Sequence, residues 1–180
     1  MTAIFSPELY SSNQPLVFPD AAPRPGVALD YFFMRRRTAT IGEQFWNVVA
    51  RGWAGFNPFE RTRCARLFSR YRSYWMPDIL SPEDRALYDE LPDEFTVYRG
   101  QNGVELAAGG SFTLSKEIAQ SHALGRRAVR YADPTILSLR VSKKDVALAL
   151  TARDEDEVVL FPIQSIALRL EASHPARVTH

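Results

Sequence analysis

A chain of 180 residues, 46% apolar and 12% aromatic, is long enough to close one core, so a single domain with or without a helical extension is expected. The net charge of +1 points to no class of partner, and the lone cysteine, Cys64, excludes an intrachain disulfide and a cysteine-built metal cluster. No apolar run reaches the length of a membrane span, and no charged segment followed by an apolar one opens the chain, so a cytoplasmic site of action without a membrane partner is the expectation.

The basic residues are 19 Arg and 3 Lys, a bias that codon usage explains and that phosphate recognition by the guanidinium fork would also explain. Residues 1–30 carry prolines at 7, 15, 19, 23 and 25 and read as an extended arm, pinned by Phe5, Tyr10, Leu16 and Phe18. The run Arg35-Arg36-Arg37 follows a bulky apolar segment and reads as a solvated helix end. Ile41, Phe45, Val48 and Val49 then form a helical stripe with Trp46 beside it. Thr40 is the expected N-cap, with Glu43 completing a capping box. The segment Gly52 to Pro58 breaks this helix. The next places Cys64, Leu67, Phe68 and Tyr71 on one face and Arg63, Arg66 and Arg70 on another. That arginine face reads as solvated or ion-paired, with phosphate or nucleic-acid contact as the alternative. Ser81 caps a third helix that has Pro82 at its first position and ends before Pro92.

The period changes after residue 93. Strands are expected over Glu94–Gly100, Ser111–Thr113, Thr135–Val141, Val146–Leu150, Val158–Phe161 and Ser165–Leu170. A helix capped by Ser115 runs to about Ala123 and stops at Gly125. The three histidines, His122, His174 and His180, are too far apart in the chain for a local zinc motif. The predicted architecture is α+β, with an arm and helical lobe over 1–93 and a β-rich core over 94–180 that form one compact unit.

Within that core four consecutive acids, Asp154 to Glu157, run directly into Val158-Val159-Leu160-Phe161. On an extended strand Glu155 and Glu157 share a face. Two carboxylates about 7 Å apart repel by roughly 2–3 kcal/mol at an effective dielectric near 20. A solvated acidic turn explains the run simply. A carboxylate pair for chemistry at a sugar or guanidinium centre is the sharper reading.

Three short pieces stand at strand ends in order: Val97-Tyr98-Arg99-Gly100, Gly110-Ser111-Phe112-Thr113-Leu114-Ser115 with Ile118-Ala119 following, and Glu155-Asp156-Glu157-Val158-Val159-Leu160. Together they resemble ADP-ribosyltransferases of the arginine–serine–glutamate clade, which includes bacterial toxins and arginine-specific enzymes. The resemblance covers about residues 94–162 and implies a split-sheet core that binds NAD as substrate and needs no metal. It implies Glu157 as the catalytic glutamate at the nicotinamide ribose and Glu155 as the acceptor-side glutamate. Arg99 and Gly100 would meet the phosphates, Ser111 would hold Glu157, and Thr113 would support the same face. The implied activity is mono-ADP-ribosyl transfer to a macromolecule, first of all to a protein arginine.

Two departures bear on the acceptor. His122-Ala123 stands where the clade often has Phe-Ala, and His122 reads either as a core residue or as one that reaches the substrate. The turn before the glutamates has no aromatic residue, which weakens a protein arginine as the target. Transfer to RNA or DNA, NAD hydrolysis by a toxin and an inactive NAD-binding scaffold remain as alternatives, and an antitoxin or immunity protein is a possible partner.

Overall fold

The helical period of the first half becomes four α-helices: α1 (Pro25–Met34), α2 (Ala39–Gly52), α3 (Pro58–Tyr71) and α4 (Pro82–Glu90). The computed structural model describes residues 25–103, 110–125, 131–151 and 155–162, so the expected arm before Pro25, His174, His180 and the expected strand Ser165–Leu170 lie outside the described residues. The last part of the expected arm is helical, because α1 starts at Pro25. Arg35 to Arg37 follow its last residue, where positive charge suits the helix C-terminus.

The cap of α2 is Thr38 and not Thr40. The backbone of Thr38 is still extended at φ −130° and ψ 163°, and its hydroxyl accepts from the amide of Ile41, whereas Thr40 already lies inside the helix. A reciprocal capping box does occur, one helix later, between Asn57 and Glu60. Ser81 caps α4 as its sequence predicts. The buried stripe of α2 is Phe45, Trp46 and Val49, with Ile41 and Val48 only partly covered. Trp46 is central to the core, and its Nε1 donates to the carbonyl of Tyr71 at 2.8 Å.

On α3 the predicted face of Cys64, Leu67, Phe68 and Tyr71 is buried, and burial pushes the Cys64 thiol far above its usual pKa. The opposite face ties α3 to α1. Arg63 pairs with Asp30, and Arg70 donates to the carbonyls of Phe33 and Arg35, while Arg66 is exposed.

The second half supplies β1 (Glu94–Asn102), β2 (Ser111–Thr113), α5 (Lys116–Ala123), β3 (Pro134–Ser142), β4 (Val146–Leu150) and β5 (Glu157–Leu160). The strands form one antiparallel sheet in the order β3-β1-β2-β5-β4. β1 and β3 pair over the whole of β1, from Glu94↔Ser142 to Asn102↔Pro134. By contrast, among the described residues β1 pairs with β2 only at Tyr98↔Thr113. The sheet is therefore two paired blocks joined at one register position.

The helices and the β4–β5 block share a core. The ring of Phe161 packs against Trp46, Phe68 and Trp75 at centroid distances of 5.6, 6.1 and 5.9 Å. Trp75 also donates to the carbonyl of Ala147 at 2.7 Å. Residue 93 thus separates the four-helix half from the strand-rich half without separating cores. A smaller cluster of Ala119, Ala123 and Ile136, with Tyr98 against it, packs α5 on β1 and β3. α5 lies so close to β1 that a Cβ on Gly100 would stand 1.9 Å from the carbonyl oxygen of Ala119. Among the described residues no helix is long and apolar enough to cross a membrane.

Candidate functional site

A cleft of about 270 Å³ opens where β1 and β2 part. Arg99, Gly100, Ser111, Thr113, Glu155 and Glu157, the residues singled out from the sequence, all border it. Three strands and the turn before β5 bring them there: Arg99 and Gly100 lie inside β1 and not at its expected end, beside the Tyr98↔Thr113 pair that joins β1 to β2, and β2 in turn pairs with β5.

Glu157 is the first residue of β5 and lies opposite Thr113, while Ser111 lies opposite Val159. Ser111 is therefore the diagonal neighbour of Glu157, within reach of a long side chain. Ser111 Oγ donates to Glu157 Oε1 at 2.7 Å, the short distance expected of a hydroxyl on a carboxylate. Two residues of the helical lobe join them. Trp53 Nε1 donates to the same Oε1 at 3.0 Å and approaches Ser111 Oγ at 3.3 Å. Arg61 Nη1 lies 3.5 Å from Glu157 Oε1 and 3.4 Å from Ser111 Oγ.

Both helical residues are held in place. Trp53 is fully buried in the 3₁₀ turn Trp53–Gly55 that follows α2, so the helix break at Gly52 delivers its indole to the sheet. Arg61 lies in the first turn of α3, donates from Nε to the carbonyl of Phe56 and from Nη2 to that of Trp53, and lies over the Trp53 ring at 5.2 Å. With Nε and Nη2 engaged in this way, Nη1 is presented to the cleft.

Arg99 lies over the Phe112 ring at 6.0 Å. Burial lowers its pKa; Tyr131 and Glu157 oppose that shift, and the neighbouring Arg61 adds to it. An arginine stays charged even so, and the result is a desolvated cation suited to an anionic ligand.

Thr113 and Gly100 border the cleft and also shape its frame. Thr113 Oγ1 accepts from the amide of Ser115 at 3.1 Å, so this buried side chain builds the turn from β2 into α5. The close approach that Gly100 permits is that of α5, whose backbone fills the space a Cβ would occupy.

Glu155 precedes β5 and turns toward α5, where its Oε2 lies 3.2 Å from His122 Nε2. His122 is thus a cleft residue and not a core one; its side chain keeps 22% exposure and that of Glu155 15%. The two glutamates border the same cleft, yet each has its own partners. This arrangement suits the charge pair better than two carboxylates on one bare strand face.

The sequence reading passed over Trp53 and Arg61. A tryptophan directly after a helix-ending glycine was the available signal for the first. Nothing in the local pattern distinguishes Arg61 from Arg63, Arg66 and Arg70. Comparison of the chain with protein families, curated proteins and solved structures returns no match.

Proposed function

We propose that this protein cleaves NAD at the nicotinamide–ribose bond and transfers ADP-ribose to a macromolecular acceptor, as an ADP-ribosyltransferase of the arginine–serine–glutamate clade. The observation that carries the reading is the 2.7 Å bond from Ser111 to Glu157 in a cleft that also holds Arg99. The residues present suit the substrate. NAD has an anionic pyrophosphate for Arg99, with Arg61 as a second cation nearby, and a ribose whose developing positive charge needs a fixed anion. At about 270 Å³ the cleft is just below the range of pockets that enclose a whole drug-sized ligand, so it suits the reacting end of a dinucleotide. The single-position junction between β1 and β2 is likewise what a sheet split around such a ligand would need.

In this mechanism the bond between ribose C1′ and the nicotinamide nitrogen breaks, and its electron pair neutralises the pyridinium. Positive charge builds on the ribose, and Glu157 stabilises it. Ser111 and Trp53 hold Glu157 by Oε1, so the carboxylate does not have to reorganise as the charge appears. Arg99, on the β1 side of the same cleft, anchors the phosphates.

Incubation of the purified protein with NAD labelled in its adenylate half and a cell lysate tests the reading. Nicotinamide release, with label that becomes protease- or nuclease-sensitive, is expected. Absence of both nicotinamide release and NAD binding by calorimetry would overturn it.

A further inference from the structure

The acceptor side of the cleft holds an imidazole against a carboxylate, His122 Nε2 to Glu155 Oε2 at 3.2 Å, beside the residues assigned to NAD cleavage. Resting on that assignment, we propose that His122 is the general base for the acceptor, oriented by Glu155, and that the acceptor class is a neutral hydroxyl instead of a guanidinium. Nε2–H donates to Glu155, which leaves Nδ1 as the basic nitrogen. This is the division of labour by which a carboxylate fixes the tautomer and direction of a catalytic imidazole.

The chemistry of the two acceptor classes differs. A guanidinium is a cation with no available lone pair, and it becomes a nucleophile only after it loses a proton to a strong acceptor. Carboxylates alone would serve it best. An imidazolium formed beside it would repel it, and the edge of Glu155 nearest the cleft residue of α5 is already engaged. A hydroxyl is neutral and already carries lone pairs. It needs a base only as its bond to carbon forms, and imidazole is the side chain suited to take that proton.

The step balances. The C1′–nitrogen bond breaks with its electron pair going to nicotinamide. A lone pair of the acceptor oxygen forms the new C1′–O bond. The hydroxyl proton passes to His122 Nδ1 and then to solvent. NAD⁺ and an alcohol become nicotinamide, the O-linked ADP-ribose and one proton, with no further reactant. His122 lies in the last turn of α5, where Glu155 reaches it from just before β5.

Small acceptors test the class directly. The full-length protein is given NAD with methanol or with agmatine, and nicotinamide, free ADP-ribose and the two adducts are quantified by mass spectrometry. Methyl-ADP-ribose and free ADP-ribose are expected, with no agmatine adduct. His122→Gln and, as a second variant, His122→Asn should lower formation of the methyl adduct by about 10²-fold, the low end of general-base effects. NAD affinity by calorimetry should stay within twofold in both, which also reports that the cleft has folded. Agmatine as the preferred acceptor, or full methanol transfer by both variants, would overturn the acceptor class and leave NAD cleavage standing. An absence of nicotinamide release in every arm would overturn both.

Discussion

Glu157 and Glu155 stand two residues apart, yet the fold treats them in opposite ways. Glu157 belongs to a strand and is held from two sides, by Ser111 of the sheet and by Trp53 and Arg61 of the helical lobe. Glu155 precedes the strand and turns to the imidazole of His122 on a helix of eight residues. The first site draws on the core common to helices and sheet. The second lies near the smaller cluster under α5. The difference teaches that two carboxylates from one acidic run can be committed to different parts of the fold, one to the seam between helices and sheet and one to α5.

The strongest way to break this comparison is Glu157→Gln. It keeps shape and hydrogen-bonding capacity but removes the anion, so nicotinamide release should fall by about 10²–10³, as when one preorganised electrostatic partner is lost. Full activity in this variant would reduce the acidic run to a solvated turn. Arg99→Ala comes next. Loss of a charge-assisted contact to phosphate should weaken NAD binding by about 10- to 100-fold in calorimetry. The ratio of the two glutamates' effects should be unchanged, and an unaltered affinity would remove Arg99 from the substrate.

Glu155→Gln sharpens the contrast. The amide can still accept from His122 but no longer stabilises its positive charge, so methanol transfer should fall by about tenfold, at the modest end of acid–base effects. A loss as large as that in Glu157→Gln, measured by nicotinamide release, would mean that the two carboxylates are not functionally distinct. The smallest expected effect is that of Trp53→Phe, which keeps the buried ring and deletes its N–H. The indole donates to Glu157 at 3.0 Å, and loss of one such bond should cost about 1–2 kcal/mol. Thermal denaturation separates the part felt by the fold from the part felt by the reaction. An identical melting temperature and identical activity would show that Ser111 and Arg61 seat Glu157 without the indole N–H.

Much of the β half was legible before any coordinates. Alternation and turn residues located the strands: Val146–Leu150 occurs as read, and β1 and β3 extend beyond their expected ends by one or two residues. Ser115 as a cap and Gly125 as a stop are local chemistry, and Gly125 indeed takes a positive φ of 96°. The cap of α2 was misread by two residues because Thr38 and Thr40 are equivalent in type, and only the backbone turning helical after Thr38 separates them. His122 stays open between core and cleft in the sequence because a histidine amid small residues on a short helix offers no charge pattern. Its partner arrives from 33 positions away.

Sequence alone determined the α+β order of elements, the buried face of α3 and the approximate spans of β1 to β5. These follow from period and from chain neighbours, which are properties of a few consecutive residues. Only the tertiary structure decided that Trp53 and Arg61 cross from the helical lobe to the glutamate, that Gly100 makes room for α5, and that Glu155 turns to His122. Each of those contacts joins segments far apart in the chain, and they form because one core seats the helices on the sheet and strand pairing fixes which side chains meet across it.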